Sequence, residues 1–334
     1  RLYHYEKNGA FDNMTTNIQE LTKKILEGFR LKRGDDLSFF LTAPLEELQH
    51  GAYALQEHFC GQHIDLCTII NGRCGHCSEN CRYCAQSAHN HAEIDEHPFL
   101  PLTEILENAR LNQEAGANRF AIVTSGRALD GDDFEKVLNV YREMRRTLQI
   151  DLCASHGILS AEQLHRIHMT GVTSYHHNIE TSRRFFPEIC TTHTYDDRIR
   201  TIRLAQKEGL QVCSGGIIGM GETWEDRFDM AISLAELGIQ SIPINALMPI
   251  PGTPLEGRPQ LAGEDILRTV AIFRFINPEA NIRLAAGRKL LPMNGETAFK
   301  AGASASITGN MLTTSGTTIK EDMEMLHRLG MSNR

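Results

Sequence analysis

Apolar residues recur along this chain with two different periods. Over residues 14–59 the period is helical: Ile18, Leu21 and Ile25 share one face, and Leu45, Leu48, Ala52 and Leu55 share another. Beyond residue 60 the pattern changes. Short β-branched or apolar runs appear at HIDLCTII, RFAIVT, IDLCAS, VTSYHH, LQVCSGGIIG, SIPINAL, NIRLAAG and SASITG. Runs of this length and composition read as strands. Amphipathic stretches separate them, and TIKEDMEMLHRLG follows the last. Many of these stretches end on a glycine just ahead of the next strand, at Gly116, Gly171, Gly209, Gly238 and Gly302. A left-handed helix cap suits a residue without a Cβ. Ser160 and Gln163 have the spacing of a capping box.

Strands alternating with helices make parallel β/α units. Residues 63–334 leave room for an eight-fold closed barrel, which typically takes about 250 residues. The pattern therefore predicts an α/β fold, a (β/α)8 TIM-type barrel over 63–334, with N-terminal helices over 14–62 as an extension. An open doubly wound sheet is the runner-up. It fits less well because one repeat length persists from end to end, and no Gly-rich dinucleotide fingerprint follows the first strand. RLYHYEKNGAFDN, residues 1–13, precedes Met14, shows neither period, and reads as an appended segment outside the fold.

Composition narrows the function classes. The formal charge is −8 with Lys and Arg dispersed, which is not the footprint of a nucleic-acid binder or a polybasic membrane patch. No apolar run approaches the roughly 18 residues that span a bilayer, and no secretory signal is visible. The nine cysteines are therefore expected to be reduced, in a cytoplasmic protein, with metal or redox roles ahead of disulfides.

Four of those cysteines fall in CGHCSENCRYC, residues 74–84, directly after the first strand. On a barrel this is the catalytic rim. Cys74 and Cys77 have the spacing of a thiol oxidoreductase, but that motif belongs to a much smaller fold. Two zinc knuckles are usually separated by a dozen or more residues, and Cys77 and Cys81 stand too close. An iron–sulfur cube accepts such crowding. Cys77-x-x-x-Cys81-x-x-Cys84 offers it three thiolates and leaves one iron open for a small-molecule ligand. Cys74, Cys60 and Cys190 read as structural or incidental thiols. His176 and His177 read as residues that shape the site rather than ligate.

The CxxxCxxC spacing with Tyr83 before its last cysteine resembles the radical S-adenosylmethionine superfamily. NCRYCAQS, YHHNIETS, CSGGIIGMGET, IPIN and IRLAAGR together resemble the biotin synthase family, from about Cys67 to Gly330. This likeness implies a [4Fe–4S] cluster on Cys77, Cys81 and Cys84, with Tyr83, Asn178, Glu180 and Arg198 around S-adenosylmethionine. It also implies Asn178 and Asn245 against the ureido ring of dethiobiotin. The implied reaction is radical insertion of sulfur between two unactivated carbons to give biotin. A homodimer reduced by flavodoxin or ferredoxin follows from the same likeness. The rival enzyme readings are a hydrogenase-cofactor maturase or a methylornithine-type mutase; the non-enzyme rival is a ferredoxin-like electron carrier. On the residues alone, the paired glycines of GMGET suit close backbone approach to a ligand. Asn178 and Glu180, two apart on the fourth strand, are expected on one side.

One departure from the family pattern stands out. The resemblance implies three cysteines and an arginine holding an auxiliary [2Fe–2S] cluster. Cys153, Cys213 and Arg283 match three of these, but the second strand carries Ala121 in place of the remaining cysteine. Interior barrel residues form layers drawn from alternate strands. Cys153, Cys213 and Arg283 occupy the third, fifth and seventh strands, so the missing corner falls on the first, where Cys67 lies. The expectation is an auxiliary cluster, [2Fe–2S] or larger, held by Cys67, Cys153 and Cys213 with Arg283 as ligand or close neighbour.

Overall fold

A computed structural model describes residues 17–310, 312 and 316–333; residues 1–13 lie outside them. The described strands are β1 Asp65–Arg73, β2 Arg119–Thr124, β3 Asp151–Ser155, β4 Ser174–His176, β5 Gln211–Cys213, β6 Gly216–Ile218, β7 Ser241–Ala246, β8 Asn281–Leu284 and β9 Ala305–Ile307. All neighbours pair in parallel, in the order β5-β4-β3-β2-β1-β9-β8-β7-β6. The pairing of Cys213 with Ser241 joins β5 to β7 and closes the ring. Eight strand positions result, as the alternating pattern predicts, because β5 and β6 are two halves of one run, LQVCSGGIIG.

That run breaks at two glycines for a packing reason. A Cβ on Gly215 would lie 1.9 Å from the Pro243 carbonyl oxygen, and one on Gly216 would lie 2.3 Å from the Glu180 carbonyl oxygen. The backbones of three barrel segments meet there with no room for a side chain. Gly215→Ala is therefore expected to cost about 3 kcal/mol, the upper end of ordinary overpacking. Denaturant unfolding measures it, and an unchanged midpoint would mean that β7 yields freely. The five glycines ahead of strands all take positive φ, between +68° and +107°. Ser160 and Gln163 form the capping box reciprocally.

The N-terminal region is less continuous than its periodicity suggests. Helix α1 spans Ile18–Leu26, α2 Phe39–Thr42 and α3 Leu45–Cys60, with non-helical chain over 27–38. Gly28 and Gly34, both at positive φ, lie in that interval. Ile18, Leu21, Ile25, Leu48, Ala52 and Leu55 are buried as their spacing implies, and Leu45 is half-buried. Phe40 packs on Phe275 of helix Gly263–Ile276 with ring centroids 5.4 Å apart, which ties the extension to the barrel.

The two faces of the strands differ in size. Outward-facing Leu66, Phe120, Ile122, Leu152, Tyr175, Ile242 and Ile282 are buried beneath the helices and belong to one continuous core. Inward-facing Cys67, Ala121 and Cys153 form a separate small cluster with Ile69 beside it. Barrel interiors are ordinarily filled by bulky branched side chains. Here small and polar residues leave a cavity of about 410 Å³.

Candidate active site

The cavity opens at the carboxyl ends of the strands, where the loop after β1 carries the cysteine motif. Hydrogen bonds shape that loop before anything binds. Cys77 N–H donates to the Gln86 carbonyl at 3.1 Å, and Ala88 N–H donates to the Cys77 carbonyl at 2.8 Å. Asn90 Nδ2 donates to the carbonyls of Cys81 at 3.1 Å and Cys84 at 2.8 Å. The three thiols are thus held close enough to influence one another's ionisation. Burial, with the negative charge a Cys77 thiolate would add, pushes the Cys84 thiol up to about 11. A hydrogen bond donated to Cys190, then burial, pushes the Cys81 thiol up as well. Thiols crowded this way are deprotonated readily only when a metal supplies the opposing charge. Cys74 has its backbone paired with His97 in an isolated bridge, and its thiol is buried.

Tyr83 and Cys84 line the cavity together with Asn178, Glu180 and Asn245. Burial, then the neighbouring Glu180 charge, lifts the Tyr83 phenol well above its usual range, so it stays a neutral donor. Both amides are fixed. Asn178 Oδ1 accepts from Gly215 N–H at 3.0 Å, and Asn245 Oδ1 accepts from Ala286 N–H at 3.2 Å while its Nδ2 donates to the Gly216 carbonyl at 3.1 Å. Each keeps spare hydrogen-bonding capacity. Asn178 and Glu180 face the same cavity, but not through strand alternation. β4 ends at His176, and Glu180 takes a left-handed φ of +69°. That strain is held by Glu180 N–H donating to the Gly215 carbonyl and Ile217 N–H donating to the Glu180 carbonyl. Arg198 Nη1 lies 3.5 Å from Glu180 and donates to the Asn178 carbonyl at 3.0 Å. The GMGET turn serves another purpose than the one expected. The Glu222 carboxylate accepts from the N–H groups of Gly219, Met220 and Gly221 at 2.8, 2.8 and 3.1 Å. Those amides are spent on the protein itself, and none of these residues lines the cavity.

Deeper in, Cys67, Cys153, Cys213 and Arg283 all line the same space. Ala121 pairs in register with Cys153 and shares a buried cluster with Cys67. The thiol missing from β2 thus has a neighbour of the right kind one strand away. Burial pushes the Cys67 thiol up to about 12, with Arg283 opposing. Burial also opposes ionisation of Cys213, but a hydrogen bond and charge from His176, then Arg283, outweigh it and bring it down to about 7. His176 faces Cys213 in the strand register. Arg283 is heavily engaged. It donates from Nη2 to Asp65 Oδ1 at 2.8 Å and from Nη1 to the carbonyls of Asp65 at 3.2 Å and Ser306 at 3.1 Å. Arg119 approaches the other Asp65 oxygen at 3.2 Å. Burial alone would raise the Asp65 carboxyl, but these two guanidinium groups bring it down to about 2.

Three features escape a reading by motif: the Asp65 clamp on Arg283, the His176 contact with Cys213, and Cys190 against Cys81. Only the strand register offers a signal for the first two, since Asp65 and His176 fall on the inward parity of Cys67 and Cys213.

Residues 73–234 match the radical SAM superfamily, and residues 243–332 match the Biotin and Thiamin Synthesis associated domain. Over 94% of its length the chain is 57% identical to the biotin synthase of Alkaliphilus metalliredigens, covering 99% of that protein. The chain belongs to the biotin synthase family. It is 55% identical to the biotin synthase of Clostridium beijerinckii over the whole of that protein. Among solved structures, methylornithine synthase superposes with a TM-score of 0.82 at 20% identity, over 94% of this chain and 97% of that one. The [FeFe]-hydrogenase maturase HydG superposes at 0.79 with 18% identity, over 96% and 77%. These two likenesses concern the barrel alone.

Membership brings a [4Fe–4S] cluster, S-adenosylmethionine and an auxiliary iron–sulfur cluster to the biotin synthase barrel. The residues fit these groups. At the rim, three thiols share a loop whose shape is held by backbone and Asn90 hydrogen bonds. At the floor, three thiols line a wide space beside two guanidinium groups that would offset the charge of a thiolate-bound cluster. No described helix is long and apolar enough to cross a membrane.

Proposed function

We propose that this chain converts dethiobiotin to biotin inside the barrel cavity, with Cys77, Cys81 and Cys84 holding the [4Fe–4S] cluster and Cys67, Cys153 and Cys213 holding the auxiliary cluster. The observation that carries the reading is that one cavity is lined by Cys84 at its mouth, by Cys67, Cys153 and Cys213 at its floor, and by Asn178, Glu180 and Asn245 between. When bound, the cofactors supply a hydrogen-abstracting radical and a sulfur atom, because saturated C–H bonds have no acidity for side chains to exploit. The chain's own residues orient and insulate. Glu180 accepts hydrogen bonds from ribose hydroxyls and is held in place by Arg198. Tyr83 closes the rim beside them as a neutral phenol. Asn178 and Asn245, pinned by backbone partners, turn their remaining amide groups to the ureido ring, so the substrate spans the gap with its reacting carbons toward the floor. Ile69, Val123, Ile217 and Leu247 form apolar walls that exclude water from the radical. Arg283, tied to Asp65, stands beside the auxiliary cluster as a fixed positive charge.

The resemblance adds flavodoxin or ferredoxin as electron donor, a homodimer, and a cytoplasmic setting to this proposal. The residues 1–13, 14–62 and 63–334 divide it into an appended segment, an N-terminal helical extension and the catalytic barrel. The deciding experiment is anaerobic turnover of dethiobiotin with S-adenosylmethionine and reductant. Biotin is the expected product, and its absence at full cluster occupancy would sink the reading. Glu180→Ala is expected to weaken S-adenosylmethionine binding by at least about tenfold, the cost of roughly 1.4 kcal/mol from a lost charge-assisted hydrogen bond, and dethiobiotin binding far less. Equilibrium binding of each measures this; an unchanged S-adenosylmethionine Kd would count against the role.

A further inference from the structure

Cys190 is a buried thiol that the reaction as described does not use. Its Sγ lies 3.8 Å from Cys81 Sγ, and the residue is 4% exposed. The spacing is fixed by a staple between the two segments. Asn80 Oδ1 accepts from the N–H groups of Thr191 at 2.9 Å and Thr192 at 3.2 Å, and Asn80 Nδ2 donates to Thr191 Oγ1 at 2.7 Å. Arg82 N–H donates to the Ile189 carbonyl at 3.0 Å. The cysteine loop therefore cannot drift from residue 190 without breaking several hydrogen bonds.

The donor atoms of Cys81, Cys190 and His193 lie within 4.8 Å of one another, which raises the question of a separate metal ion. The ring of His193 argues against it. Its Nε2 accepts from Arg198 Nε at 3.1 Å, so Nδ1 carries the proton and donates to Glu79. Neither ring nitrogen has a lone pair left for a metal. Thr192 Oγ1 donates to Glu79 at 2.9 Å, so its proton is also spent. With no metal bound the Cys81 thiol donates to Cys190 Sγ, which also lies 3.4 Å from His193 Nδ1 and 3.5 Å from Thr192 Oγ1. Once a metal takes the place of the Cys81 proton, Cys190 is the one of the two sulfurs that can donate. The strongest acceptor within its reach is Cys81 once that sulfur is a metal-bound thiolate, since hydrogen bonds to charged acceptors are the strong ones.

Resting on the reading of Cys81 as a ligand of the [4Fe–4S] cluster, we propose that Cys190 donates an S–H···S hydrogen bond to Cys81 and thereby raises the reduction potential of that cluster. The physical reason is that a donor on a ligand sulfur stabilises the reduced, more negative cluster more than the oxidised one. Cys190 is in this sense a positioning residue. It acts through Cys81 and does not line the cavity.

The test is an EPR-monitored potentiometric titration of the reconstituted full-length chain. Cys190→Ala is expected to shift the midpoint of the rim cluster to lower potential, and Cys190→Ser, which keeps a donor, to recover part of that shift. An unchanged midpoint in Cys190→Ala at full rim-cluster occupancy overturns the proposal. So does loss of the rim cluster from that variant, because Cys190 would then be a ligand or a structural support. If Cys190→Ala does not accumulate, Cys190→Val fills a similar volume without a donor, and the same downward shift is expected and the same two results overturn it. Cys81→Ala tests the reading underneath separately: a rim cluster that survives in it refutes the ligand assignment, whatever the Cys190 variants do.

Discussion

Alanine in place of any one of Cys77, Cys81 or Cys84 is expected to abolish S-adenosylmethionine cleavage, with 5′-deoxyadenosine falling to the level of the cluster-free protein. The size of the effect follows from ligand count. In the proposed ligand set three thiolates would hold the rim cluster and leave one iron to the small molecule. Removing a thiolate leaves two protein ligands, and the loop offers no substitute at the same position. Cys74 is tied elsewhere: its backbone is paired with His97 and its thiol is buried. Cys190 abuts only Cys81 among the three. Cys74→Ala is the matched control and should retain cleavage. Chromatographic assay of 5′-deoxyadenosine, with iron counts on each variant, gives the answer. Retained production in any of the three would show that the cysteine is not a ligand.

Much of this architecture is legible in the chain because barrels repeat. Alternating strand and helix periods, with glycine caps such as Gly116 and Gly209, suffice for the closed sheet. What the sequence conceals arises where distant segments meet. The break between β5 and β6 depends on the Pro243 and Glu180 carbonyls, which no local pattern announces. The non-helical chain over 27–38 separates the helical stretch that holds Ile25 from the one that holds Leu45, because propensity carries no information about how the chain turns onto the barrel. The site divides the same way. Cys77, Cys81 and Cys84 are adjacent in sequence and declare themselves by spacing. Asn178 and Glu180 reach the same cavity through a strained turn rather than by strand parity. Cys190 is 109 residues from Cys81, and only the tertiary fold brings their sulfurs together.

Cys67→Ala separates the two clusters. The rim cluster should survive and still cleave S-adenosylmethionine, while biotin formation is lost. Cys67 lies on β1, well below the rim loop that follows this strand, so its loss leaves Cys77, Cys81 and Cys84 untouched. At the floor its loss removes one of three thiols. Ala121 stands in the same buried cluster and cannot replace it. Arg283 is poorly placed to compensate. Its Nη1 and Nη2 donate to Asp65 and Ser306, and its Nε lies 3.3 Å from Ser241 Oγ. A guanidinium so engaged, beside a carboxylate held ionised, stays protonated and acts by charge rather than by a lone pair. His176 offers a nitrogen, but it faces Cys213 rather than Cys67. Held by Cys67, Cys153 and Cys213 without Arg283 as a ligand, an auxiliary cluster would draw its remaining ligand from outside this chain, and it would supply the sulfur for insertion. Mössbauer spectra and iron counts on Cys67→Ala, read beside the 5′-deoxyadenosine yield, decide the matter. Full auxiliary-cluster occupancy in that variant would show that Cys67 is not a ligand, and loss of S-adenosylmethionine cleavage along with biotin would show that the two ends of the cavity are not independent.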